Sequence, residues 1–216
     1  MLTGGYVGIM VVLALLQDGY ILGIAQGAFT AASIATVLIG FIVVTGSTWQ
    51  LAGAWGEDNT RETLRWAKRR GLIHGWVDNV EVQGGDVDHL VATSNGWIAL
   101  DSKWHSVTLD SHVIETDAER TIKAARRATL ILRSLKHPAP VKPVAVLWGG
   151  TRDEIPGSRG VAHDVEFISG SYFKRWLREL PPGGIEKQTS EVVLRKLQTF
   201  RDTVRPEDKP RLTRGR

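Results

Sequence analysis

"GGDVDHLVATSNGWIALDSKW", residues 84–104, sets two β-rich apolar runs on either side of Ser94-Asn95-Gly96, and each run carries carboxylates. The central tripeptide is a hairpin signal. With Asn95 and Gly96 as the loop, Ser94 pairs with Trp97 and Asp88 stands directly opposite Lys103. Asp101 then lies diagonal to Asp88 on the same face, because side chains alternate along a strand. A four-residue loop keeps that register, whereas a three-residue loop sends Asp88 to the other face. The remaining positions of the second run, Ile98, Leu100, Ser102 and Trp104, are mostly apolar, which predicts a strand covered on both sides. Unpaired charge in such a place is costly. Two readings of the charges fit the spacing. Asp88 and Lys103 can form an ordinary cross-strand ion pair worth under about 1 kcal/mol, with Asp86 and Asp101 at solvated strand ends. Alternatively, Asp88 and Asp101 can share a divalent cation, and magnesium takes carboxylate oxygens and binds phosphate.

Outward from the hairpin, "EDNTRETLRWAKRR" (57–70) has acids early and bases late, the order that a helix dipole favours, with Gly71 as a stop signal. "WVDNVEVQ" (76–83) reads as a further strand. "TDAERTIKAARRATLILRSLK" (116–136) predicts a helix with an apolar stripe at Ile122, Ala125, Thr129 and Leu132. "KPVAVLWGG" (142–150) and "DVEFIS" (164–169) predict strands, and "SYFKRWLREL" (171–180) a helix stopped by "PPGG". A last helix is expected from Ser190, capped by its hydroxyl, followed by a basic tail over 201–216. The pattern predicts an α/β domain: a mixed sheet flanked by helices.

Composition divides the 216 residues into two parts. Asp18 is the only charged side chain before Glu57. All 27 Lys and Arg follow residue 50, against 22 of the 23 acids, a net +5 for that part. All eight Trp also lie at or after position 49. Residues 19–48 carry no charge and exceed the roughly 20 residues that cross a bilayer as a helix. A transmembrane helix is expected over about 26–46, within a membrane anchor spanning 1–48. "YVGIMVVLALL" before it is apolar too and breaks at Gln17, Asp18 and Gly19, so the anchor comprises one or two helices. A cleaved signal peptide fits less well, because the basic leader is missing and the apolar stretch is too long. Arg61, Arg65, Lys68, Arg69 and Arg70 follow the span, which predicts a cytoplasmic C-terminal domain. The absence of cysteine removes disulfides, Cys-ligated zinc and Cys nucleophiles. There is no GxxxxGK[ST] loop, no GxGxxG after a strand, no HExxH and no GxSxG.

Asp88 followed by "DSK" (101–103) resembles the metal-site signature of the PD-(D/E)xK, restriction-endonuclease-like nucleases. "GAWGEDNTRETL" (53–64), "DVDHLVATSNGWIALDSKW" (86–104) and "ISGSYFKRWLREL" (168–180) together resemble the nuclease-related domain (NERD) family, over about 53–200, with a membrane anchor before the domain. The resemblance implies a restriction-endonuclease-like mixed sheet. It also implies a magnesium-dependent nuclease acting on DNA, held to the lipid bilayer by its N-terminal segment. By the same resemblance, Glu57 leans towards the metal, Asp88 and Asp101 ligate it with the backbone carbonyl of Ser102, and Lys103 is catalytic. Two positions depart from the family pattern: Asp101 stands where Glu is usual, and Glu119, Lys123 and Arg126 occupy the place of an expected Gln. Arg126 and Arg127 could touch nucleic-acid backbone. His89 and His105 flank the site, while Trp97, Trp104 and Trp148 fit the core. Two rival readings keep the fold without the chemistry: an inactive nucleic-acid-binding domain, and a membrane-tethered interaction module.

Overall fold

The computed structural model describes residues 10, 19–44, 47–81, 85–105, 109–150 and 154–203. The chain divides into two compact units, 1–51 and 52–216. In the first, helix α1 spans Gly19–Val44, and its segment Gly23–Phe41 is long and apolar enough to cross a membrane by length and composition. It starts earlier than the expected 26, because Ala, Ile and Leu between Gly19 and Gln26 continue the uncharged helical run. The short apolar run ahead of it, 6–16, and the end of the tail, 204–216, lie outside the described residues but for Met10.

The second unit is built on one mixed six-stranded sheet in the order β1-β2-β3-β4-β6-β5. The strands are β1 (Gly75–Asp78), β2 (His89–Thr93), β3 (Gly96–His105), β4 (Val141–Gly149), β5 (Arg159–Ala162) and β6 (Val165–Ser169). β3 runs parallel to β4 and β4 parallel to β6, while the other neighbours are antiparallel. Helix α2 (Ser47–Arg69), of which the part from 52 onward belongs to this unit, covers one face through Leu64, Trp66 and Ala67 together with α4 (Phe173–Glu179), and α3 (Ser111–Ser134) and α5 (Lys187–Thr203) cover the other. Even positions of β3 face α2: Ile98 and Leu100 join Leu64, Ala67, Val144, Val146 and Trp176. Odd positions face α3: Trp97 and Ala99 join Leu90, Ala128, Ile131 and Leu132. β3 is thus covered on both sides, as its sequence predicts.

Several boundaries differ from expectation. α2 begins ten residues before Glu57, since the glycines at 53 and 56 do not interrupt it, and it stops at Gly71, whose φ of +69° suits glycine. β1 ends at Asp78 because Asn79 turns with φ +51°. α3 begins at Ser111, where the Asp110 carboxylate caps Val113 N (2.8 Å). Its buried stripe runs through Ala118, Thr121, Ala124, Ala125, Ala128, Ile131 and Leu132, so Ile122 and Thr129 are only flanking positions. α5 begins at Lys187, and Ser190 is no cap: it is buried inside the helix, with Oγ 2.9 Å from His74 Nδ1. Arg201–Thr203, expected in the tail, are helical. The β5–β6 hairpin has no sequence forecast. It turns on His163 and Asp164, both at positive φ, a geometry usually marked by Asn-Gly.

Candidate functional site

The hairpin loop is Ser94 and Asn95, one residue earlier than the Asn-Gly signal suggests, with Thr93 paired to Gly96. Local bonds hold it there. Asn95 N donates to Thr93 Oγ1 (3.2 Å), and the Thr93 hydroxyl donates to Gly96 O (2.9 Å). Tertiary contacts add to this: Ile185 N donates to Ser94 O (3.0 Å), and Gly183 sits so close that a Cβ there would lie 2.1 Å from the same carbonyl oxygen. The earlier loop shifts the pairing by two. His89 faces Leu100, so the next position outward sets Asp88 against Asp101, not against Lys103. A shift of two preserves the face, and the three ionisable groups stay together.

Asp88 precedes β2, and its Oδ2 accepts from Ser102 N (3.2 Å). Asp101 is 7 % exposed; its Oδ2 lies 2.8 Å from Lys103 Nζ and accepts from the Thr121 hydroxyl (3.0 Å) on α3. Burial first, then the charge and hydrogen bond of Asp101, push the Asp88 carboxyl up to about 8, against the pull of Ser102 N and Lys103. Two like charges in a half-dry pocket cannot both ionise freely with a single ammonium beside them.

The same face of β3 carries a further pair, His105 Nε2 with the buried Asp117 carboxylate of α3 (2.7 Å). Asp117 and Thr121, one helical turn apart, are the polar side chains α3 presents to β3. The sequence signal for them was two polar residues at i, i+4 inside an alanine-rich stripe. Glu119, Lys123 and Arg126, which replace the Gln expected near this place, are instead exposed, with Lys123 Nζ 3.1 Å from Glu119.

Ser102 and Glu57 belong to the other face. The Ser102 hydroxyl donates to Thr60 Oγ1 (2.7 Å), which also accepts from Trp148 Nε1 (2.9 Å). Glu57 on α2 is not brought to the carboxylate pair by any described contact. It stands 3.6 Å from Arg61 Nη2, because α2 packs on the even positions of β3. Arg61 reaches Asp78 (3.2 Å), and Asp78 accepts from the buried His89 ring (2.6 Å). Burial alone would raise Asp78, but His89 and Arg61 outweigh it and hold the carboxyl below its ordinary value. His89 is therefore a satisfied core histidine on its Nδ1 side. Of the two helix arginines, Arg127 lies against the 85–86 backbone, donating from Nη1 to Asp86 O (3.3 Å), while Arg126 is exposed. Trp97 is buried in the core, and Trp104 meets Trp55 edge-on at 6.0 Å.

Among the described residues no group of three acidic or histidine side chains gathers as a ready-made metal cage. The pair nevertheless suits a hard, oxygen-seeking cation, because such an ion can take the place of the proton that burial and Asp101 keep on Asp88. Comparison of the chain with protein-family models, curated proteins and solved structures finds no match.

Proposed function

We propose that this chain is a membrane-anchored, magnesium-dependent nuclease of the restriction-endonuclease-like class, related to the NERD family, which hydrolyses DNA phosphodiester bonds on the cytoplasmic side. The observation that carries the reading is the convergence of Asp88, Asp101 and Lys103 on one face of the hairpin, with Lys103 Nζ 2.8 Å from Asp101. Asp88 and Asp101 would hold magnesium, with the Ser102 carbonyl; the ion supplies a more acidic water and stabilises charge on a phosphate. The Lys103 ammonium can orient a water by donating to it and can offset negative charge developing on a phosphate oxygen. Thr121 fixes the Asp101 carboxylate, so that the lysine and the acid keep their spacing. Helix α1, uncharged over its 26 residues and followed by a run of bases, supports the anchor and its orientation.

The test is the full chain in mild detergent, incubated with DNA and magnesium, beside Asp101→Ala and Lys103→Ala. Cleavage by the parent and loss in both variants is expected. Cutting that survives both substitutions rejects the site, and salt-sensitive DNA binding by a parent that never cuts supports the inactive binding domain instead.

A further inference from the structure

Trp66, half-buried near the end of α2, has three cations over its ring: Arg70 Cζ at 5.8 Å, Lys174 Nζ at 5.9 Å and Arg178 Cζ at 5.0 Å from the centroid. Close by on α2, Lys68 Nζ stands 5.9 Å from the Trp76 ring, and Arg65 and Arg69 are exposed. None of these six bases pairs with a carboxylate among the described residues. The nearest acid on α4, Glu179, is taken by Tyr172 and Arg175. Three charges within reach of one centroid are at most about 12 Å apart, a separation at which physiological salt weakens their interaction without removing it. They repel each other, and an aromatic face compensates each only weakly. Such a cluster calls for a polyanion.

We infer that the Trp66 cluster is a docking surface for anionic lipid headgroups. Three observations favour a bilayer over nucleic acid. The cluster lies on the α2–α4 face of the sheet, whereas Asp88, Asp101 and Lys103 face α3, so a nucleic acid seated at the carboxylates leaves it uncovered. An indole ringed by long basic side chains is the composition of a membrane–water interface. Helix α1 also precedes this unit in the same chain; this last argument rests on the membrane-anchored reading, which keeps headgroups at high effective concentration.

The experiment reconstitutes the full chain into nanodiscs of phosphatidylcholine alone or with about 30 % phosphatidylglycerol and reads amide hydrogen exchange. Anionic discs are expected to slow exchange at the end of α2 and in α4. High salt and the triple variant Arg70→Glu, Lys174→Glu, Arg178→Glu should each abolish the effect. For Lys174→Gln alone, the apparent affinity for anionic vesicles should fall about fivefold, the share of one base near such a surface. Incorporation with identical exchange in both discs overturns the docking surface and leaves the anchor standing. If the chain stays out of the discs, the anchor fails. Flotation of that chain with phosphatidylglycerol vesicles then decides: salt-sensitive binding lost in the triple variant supports the surface, and no binding overturns it. Protection of the same segments by a DNA duplex, but not by anionic lipid, overturns it in favour of nucleic acid.

Discussion

Asp88→Asn should make the metal-free protein more stable as pH rises, relative to the parent. In the folded state the Asp88 carboxyl stands near 8 against an ordinary 3.8, because it is buried and faces Asp101. The folded state therefore binds more protons than the unfolded state between those values. The stabilisation from the retained proton is full below about pH 4 and is lost as pH rises towards 8. One proton corresponds to about 1.4 kcal/mol per pH unit at most. For a unit of this size that is about 3–6 °C in Tm per pH unit. An amide in place of the carboxyl keeps an acceptor for Ser102 N and carries no charge, so its stability lacks this slope. The assay is thermal unfolding of the full chain in detergent and EDTA, from pH 5 to 8, followed by tryptophan fluorescence. All eight Trp follow residue 48, so the signal reports chiefly the sheet domain. Every other titrating group is common to both proteins, and the difference in Tm isolates the site. A difference that stays flat across this range refutes the view that two carboxylates share one buried pocket.

Magnesium should bind about tenfold more tightly per pH unit up to about pH 8, because the ligand must lose its proton, and Asp88→Asn should remove binding in titration calorimetry. Thr121→Val should cost about 1 kcal/mol in unfolding, the worth of a hydroxyl shared between Asp101 and the Asp117 carbonyl, and lower cleavage while leaving DNA affinity unchanged. Gly183→Ala should cost about 1–3 kcal/mol, because its Cβ meets backbone at the hairpin tip and cannot be relieved by a rotamer change. Asp78→Asn should cost about 1–3 kcal/mol at neutral pH by stranding His89 and Arg61. Since the folded carboxyl is held below its ordinary value, this loss should shrink as pH falls below about 4.

Local pattern alone was enough to place the β2–β3 hairpin, the buried run of β4, the helix stopped by the 181–184 turn and the uncharged helix α1, because alternation, charge-free length and Pro-Gly breaks act within a few residues. It also brought Asp88, Asp101 and Lys103 to one face, since a register error of two leaves side-chain parity intact. Which of them face each other depended on where the chain turned. The local bonds of Thr93 and the packing of Ile185 and Gly183 on Ser94, from about ninety positions away, hold that turn together, and the second of these is a contact no local pattern encodes. Tertiary structure likewise decided that α2 packs against the even positions of β3, where Glu57 stands beside Arg61. It also chose Thr121 and Asp117 to meet β3, and it gathered Arg70, from the turn after α2, and Lys174 and Arg178, from α4, around Trp66. Spacing along the chain fixes which side of a strand a residue occupies, but the partner it meets there is set by the packing of distant elements.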